Sequence, residues 1–131
     1  LIMTFEEAKV FFEKDRFATK AAGIVLEELD ESHCLCTMKI TPDHLNAVGS
    51  VMGGALFTLA DFGFAAASNF CHPGTVTLSS QIQYLSAAKG TFLTAITRPV
   101  KEGRHACFYE TIITDELGTK VAIVNATGYR K

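Results

Sequence analysis

The chain has 131 residues, 48% of them hydrophobic, which is enough for one domain (residues 1–131) with a real core. A formal charge of −2 gives no electrostatic case for nucleic acid or an anionic membrane surface as a partner. The four cysteines (Cys34, Cys36, Cys71 and Cys107) show no CxxC spacing, so neither a metal centre nor a disulfide framework is expected, and the reading is of a cytoplasmic protein. No signal-peptide pattern stands before the first helical segment.

That first segment, Thr4 to about Thr19, opens with a capping box, Thr4 as N-cap and Glu7 three residues on. Phe5, Ala8, Phe11 and Phe12 recur at helical spacing, which predicts a short amphipathic helix lying on something apolar. Gly23–Leu29 and His33–Ile40 read as strands joined in a hairpin by Asp30-Glu31-Ser32. Cys34 and Cys36 alternate, and so share one face as small buried hydrophobes. Thr41-Pro42-Asp43 then ends the strand and opens a loop.

The stretch from His44 to Phe70 begins as a polar, glycine-bearing loop and becomes a long apolar run from Gly53 onward. Its length and its Ala, Leu and Phe content predict a buried helix. Asp61, Gly54, Gly63 and Ser68-Asn69 argue against a membrane span. Asp is a poor helix-interior residue and expensive to bury alone. Asp61 is therefore either held by structural hydrogen bonds or kept for chemistry, and chemistry is the stronger reading. Its sequence neighbours Leu59, Phe62 and Phe64 predict apolar surroundings and a raised pKa.

Cys71-His72-Pro73-Gly74 stops the helix. Four strand-like runs follow, Thr75–Leu85, Thr91–Val100, His105–Thr114 and Lys120–Tyr129, with separators short enough for antiparallel hairpins. The last three are expected to form a meander. The order of elements predicts an α+β domain, in which a single antiparallel sheet of five to six strands wraps around the long helix. The sheet's other face is expected to pack on a second subunit or on the first helix.

The run His44-Leu45-Asn46, Gly49, Gly53-Gly54 and Asp61 resembles the active-site segment of hot-dog acyl-CoA thioesterases of the phenylacetate-pathway type. Tyr84-Leu85, Gly90 and the Gly103-Arg104 turn fit the same resemblance. It implies an enzyme that hydrolyses an acyl- or aryl-CoA thioester without a metal or tightly bound cofactor, coenzyme A being part of the substrate. In this likeness the Gly53 backbone N–H polarises the thioester carbonyl, Asp61 is nucleophile or general base, and Asn46 makes a polar contact near the reacting atoms. His44, Gly54, Ser79, Ser80, Lys89, Gly103 and Arg104 are candidates for binding substrate, the last five for gripping pantetheine and phosphates. Each of these also has a plain reading as a loop, strand or turn residue. The chain departs from the family at Met52, where members often carry His.

Thioester hydrolysis needs donors for the charge that grows on the carbonyl oxygen, and a helix N-terminus supplies unpaired N–H groups. A glycine there lets the carbonyl approach closely. Gly53 and Asp61 are eight residues apart, roughly 12 Å along one helix at 1.5 Å per residue, too far to meet at one carbonyl. Two antiparallel helices across a two-fold axis solve this, each pairing its Gly53 with the partner's Asp61. A homodimer is expected, with a dimer of dimers as the larger assembly. An alternative is a non-catalytic acyl-CoA-binding regulatory domain, which Asp61 disfavours. A hot-dog dehydratase is disfavoured by Met52. Ser86-Ala87-Ala88-Lys89 matches SxxK without companion motifs, and Gly49–Gly53 has GxxxG spacing outside any membrane context, so both are read as chance.

Overall fold

The computed structural model describes residues 3–131. Helix α1 covers Phe5–Phe12, strands β1 and β2 cover Ile24–Leu29 and Cys34–Lys39, and helix α2 covers Gly53–Cys71. Strands β3 to β6 follow at Thr75–Tyr84, Phe92–Glu102, Ala106–Asp115 and Lys120–Arg130. They form one six-stranded antiparallel sheet in the order β1-β2-β4-β5-β6-β3, curled around α2. Among the described residues, no helix is long and apolar enough to cross a membrane.

Alternation along the strands decides which face meets α2. Cys36, Ala95, Ile113 and Ala122 lie in register across four strands and are all buried against the helix. From the helix, Leu56, Leu59, Ala60, Phe64, Ala67 and Phe70 fill the same core. Phe64 meets Tyr109 edge to face, with ring centroids 5.4 Å apart. Gly63 packs directly on β4, where an added Cβ would lie 2.7 Å from Thr97 Oγ1. Cys34 and Cys36 are fully buried on this face, with their sulfurs 3.6 Å apart.

Three expectations need correction. The predicted helix to Thr19 stops at Phe12, and the chain resumes as a π-helical turn over Phe17–Ala21. Both Phe12 and Ala18 are buried, yet six positions on a straight helix would put them about 240° apart. The break turns both inward, and Phe12 meets Phe62 of α2 edge to face, with ring centroids 6.3 Å apart. Second, β3 and β4 do not form a hairpin. β3 pairs with β6 at the sheet edge, and residues 85–91 cross the sheet end to reach β4 between β2 and β5. Third, of the two covers expected for the sheet's outer face the first helix is ruled out, since α1 packs on α2 and β1, and among the described residues no helix lies on that face. There Leu35, Ile96, Ile112 and Ile123 form a half-exposed row in register.

The crossover is held by two carboxylates at the β5–β6 turn. Asp115 accepts the Lys89 and Gly90 N–H groups with one oxygen, at 2.8 and 2.9 Å, and those of Leu117 and Thr119 with the other. Glu116 accepts the N–H groups of Thr91 and Phe92. Desolvation pushes the Asp115 pKa up, but these N–H donors outweigh it and hold the carboxyl well below the usual carboxylate range.

Candidate active site

The loop before α2 is built by its own polar residues. Asn46 Oδ1 accepts the N–H groups of Val48 and Ser50 at 3.1 and 3.0 Å, and the Asn46 N–H donates to the Ser50 carbonyl. Gly49 closes this turn at φ +87°, a backbone conformation that only glycine adopts without strain. His44 is buried beneath it. Its Nδ1 accepts the Thr41 N–H at 3.0 Å and its Nε2–H donates to the Ala22 carbonyl at 2.7 Å. With both ring nitrogens engaged, His44 ties the loop to the π-helical turn and presents only carbon to the cleft beside it.

Met52 precedes α2 in extended backbone, and its side chain makes no cap hydrogen bond. The first intrahelical bonds run from Ala55 and Leu56 back to the Met52 carbonyl, so the N–H groups of Gly53 and Gly54 point out of the helix end without an acceptor among the described residues. Gly53 opens into a cleft of about 480 Å³ with Ser50, Leu56, Tyr84, Ser86 and Ala88. Tyr84 leans over it closely enough that a Cβ at Gly53 would meet the phenol oxygen at 2.7 Å. Gly54 opens on the other side, into a cleft of about 460 Å³ with Phe17, His44, Met52 and Thr58.

Asp61 lies two turns further along α2, on the exposed stripe that also carries Gly54. Leu59 and Phe64 turn the other way and are buried, which corrects the expectation that they enclose Asp61, whereas Phe62, although buried, reaches its cleft. The carboxylate instead lines a cleft of about 460 Å³ with Asp15, Arg16, Phe17, Phe57, Thr58 and Phe62. Partial desolvation raises its pKa, and the negative charge of Asp15 raises it further. Phe57 lines this cleft, whereas Phe64 belongs to the core and does not reach it. The aromatic cover comes from the π-helical turn, through Phe17 at 72% exposure, rather than from α1.

The remaining candidates separate along the sheet. Lys89 is exposed on the crossover, beside the Gly53 cleft. Gly103 and exposed Arg104 stand at the opposite end, near the C-terminus of α2, where His72 Nε2 lies 3.2 Å from Glu102 and Arg130 bonds to Gly103 and Glu102. The helix between these ends is roughly 28 Å long. Ser79 and Ser80 lie on the edge strand β3, Ser79 exposed and Ser80 half-buried. One chain therefore does not gather Lys89, Arg104, Gly53 and Asp61 around a single carbonyl.

Asp15, Phe17 and Thr58 were not singled out from sequence, and Tyr84 was noted only as part of the resemblance, without a place beside Gly53. Thr58 carried a usable signal, since positions 54, 58 and 61 follow helical spacing. Asp15 and Phe17 carried none, because the helix break that brings them to α2 is a tertiary effect.

Residues 48–122 match the family model of the thioesterase superfamily. The chain belongs to that superfamily. It is 32% identical over 127 residues to the acyl-coenzyme A thioesterase PaaI of Escherichia coli, covering 96% of this chain and 90% of that one. The solved structure of E. coli PaaI superposes with a TM-score of 0.87 at 30% identity, over 97% of this chain and 92% of the other. A hypothetical thioesterase from Streptococcus pneumoniae, solved with coenzyme A, gives 0.82 at 30% identity over 92% and 96%. The fold is the hot-dog, and this member of the superfamily is a thioester hydrolase.

Proposed function

We propose that this thioesterase hydrolyses an acyl-CoA, with Asp61 of one protomer and the Gly53 N–H of its partner acting on one thioester carbonyl. The observation that carries this reading is the division of the site. Open N–H donors and a carboxylate stand on one helix, roughly 12 Å apart, each at its own cleft. A reacting carbonyl must lie about 3 Å from both. Edge strand β3 supports the two-fold arrangement. It has only β6 beside it among the described residues, and it exposes Val76, Leu78 and Tyr84, so it is poised to pair with a second copy. A dimer also brings the Lys89 end of one chain toward the Arg104 end of the other, where both can contact the phosphates of coenzyme A. The coenzyme A held by the pneumococcal relative supports that ligand class. A dimer of dimers would use the bare outer face of the sheet.

In the reaction the carbonyl oxygen points at the unpaired N–H groups of the helix end, whose partial positive charge favours the oxyanion. Asp61 either attacks the carbonyl carbon or takes a proton from the attacking water, and both routes need it ionised. The acyl group lies against Phe17, Phe57 and Phe62. Asn46 Oδ1 is committed to the loop, so its contribution at the reacting atoms comes through the side-chain N–H₂.

A panel of acyl-CoAs with a thiol-reactive dye tests the reading. Wild type releases free coenzyme A from at least one of them, and Asp61→Asn loses about two to four orders of magnitude in kcat while its melting temperature holds. Binding of every acyl-CoA without turnover would assign the protein to a regulatory role instead.

A further inference from the structure

The segment joining α1 to the π-helical turn is held firmly, although its side chains face solvent. The Asp15 N–H donates to the Phe12 carbonyl at 3.0 Å, and the Asp15 carbonyl accepts both the N–H and the hydroxyl of Thr19. Phe12, three residues earlier, is buried against Phe62, the residue after Asp61. Ala18, three residues later, is buried as well. Asp15 is thus fastened on both sides to the stretch of α2 that carries Asp61, and both carboxylates line one cleft. Among the described residues the Asp15 carboxylate accepts no hydrogen bond. Its free charge is what it contributes.

We propose that Asp15 acts through Asp61, as a second negative charge lining the same cleft that strengthens Asp61 as a base. The inference rests on the thioesterase reading for its catalytic meaning, though not for its electrostatics. Two carboxylates at one cleft resist ionising together, so the proton on Asp61 leaves at higher pH and is taken up more readily from water. The partial desolvation of Asp61 in the cleft acts in the same direction, and the raised pKa of Asp61 agrees with both contributions. Other charges near the cleft are few. Arg16 lines it from the same connection as Asp15. Lys9 of α1 and Glu13 just after it open into a separate hollow beyond Phe62, and Asp43 into the adjoining cleft with His44.

Asp15→Asn keeps the size of the side chain and removes the charge. In the homo-oligomer at low ionic strength, the acid limb of the kcat/KM profile is expected to move down by about half a pH unit, about threefold more relative activity on its acid side. Salt should shrink the difference between wild type and variant, because the pair is exposed. Asp15→Glu should restore the wild-type limb. A carboxyl-carbon NMR titration of Asp61 reads the same shift without turnover. If the wild type proves inactive on every thioester, the proposed function falls while this titration still decides the role of Asp15. An Asp61 midpoint that stays put in Asp15→Asn, or rises, overturns the inference. If Asp15→Asn fails to fold, Asp15→Ser takes its place in the titration: a lowered Asp61 midpoint supports the inference, and an unmoved or raised one overturns it.

Discussion

Gly53 separates two things that a residue can contribute, a missing side chain and a backbone donor. It is the first residue of α2, the one helical position where proline is welcome because its N–H is not needed by the helix. Met52 before it sits at φ −65° and ψ 140°, the conformation a following proline demands. Gly53→Ala adds a Cβ against Tyr84 but keeps the donor, and Gly53→Pro adds similar bulk and deletes it. Tyr84 is largely exposed and meets the new atom only with the far end of its ring, so it can swing aside in both variants. Both are expected to fold with similar melting temperatures. Gly53→Pro should then fall a further 10²–10³ below Gly53→Ala in kcat, the usual loss for one oxyanion donor. Equal activity in the two would remove the Gly53 N–H from the mechanism. The placement of Gly53, Gly54 and Asp61 on one helix and its start was legible in sequence, because apolar length and a glycine-bearing loop are local signals. His44 was legible as a loop residue, but its two hydrogen bonds were not, since one partner lies 22 positions away at Ala22.

At the scale of elements, the strands and α2 could be read from alternation, apolar length and stop signals, whereas their connections could not. A seven-residue separator between β3 and β4 suits a hairpin, and sequence offers no local reason to reject one. The reason is distant: Asp115 and Glu116 wait at the β5–β6 turn to accept the crossover's N–H groups. The same limit applies to α1, whose capping box is formed as read, with Thr4 and Glu7 bonded reciprocally, while its end is set by packing on α2. The Asp115 anchor has a pH signature. Its folded pKa lies below the unfolded value of about 3.9, so its stabilisation is complete above that value and is lost as pH falls through the folded pKa. Asp115→Asn keeps one acceptor and lacks the charge. The variant is expected to melt at lower temperature than wild type at pH 7, with the difference narrowing below about pH 4 as Asp115 in the unfolded wild-type chain takes up a proton that the folded carboxylate still refuses. Thermal melts of both proteins from pH 7 down to pH 3 measure this. A difference that widens with acid would show that the crossover is held by something else.

For the whole molecule, the question is whether a catalytic unit is one chain or two. Within a chain, α2 is continuous from Gly53 to Cys71, so the spacing between the donor at its start and Asp61 cannot shorten without breaking the helix. Across a two-fold axis the distance is set by the interface instead, and each site takes one group from each chain. Mixing separates the two cases by counting. Gly53→Pro and Asp61→Asn should each be nearly inactive alone. A mixed dimer of the two holds one site with both groups intact and one with neither. Unfolding and refolding equal amounts together gives about half mixed dimers by random assortment, each with one of its two sites working. About a quarter of the wild-type activity should therefore return, rising toward one half when the mixed species is isolated with two different affinity tags. Chains carrying complete sites of their own would recover nothing, because every chain in the mixture lacks either the donor or the carboxylate. The recovery should also vanish on dilution below the dimer's dissociation constant, at the concentration where light scattering reports monomer.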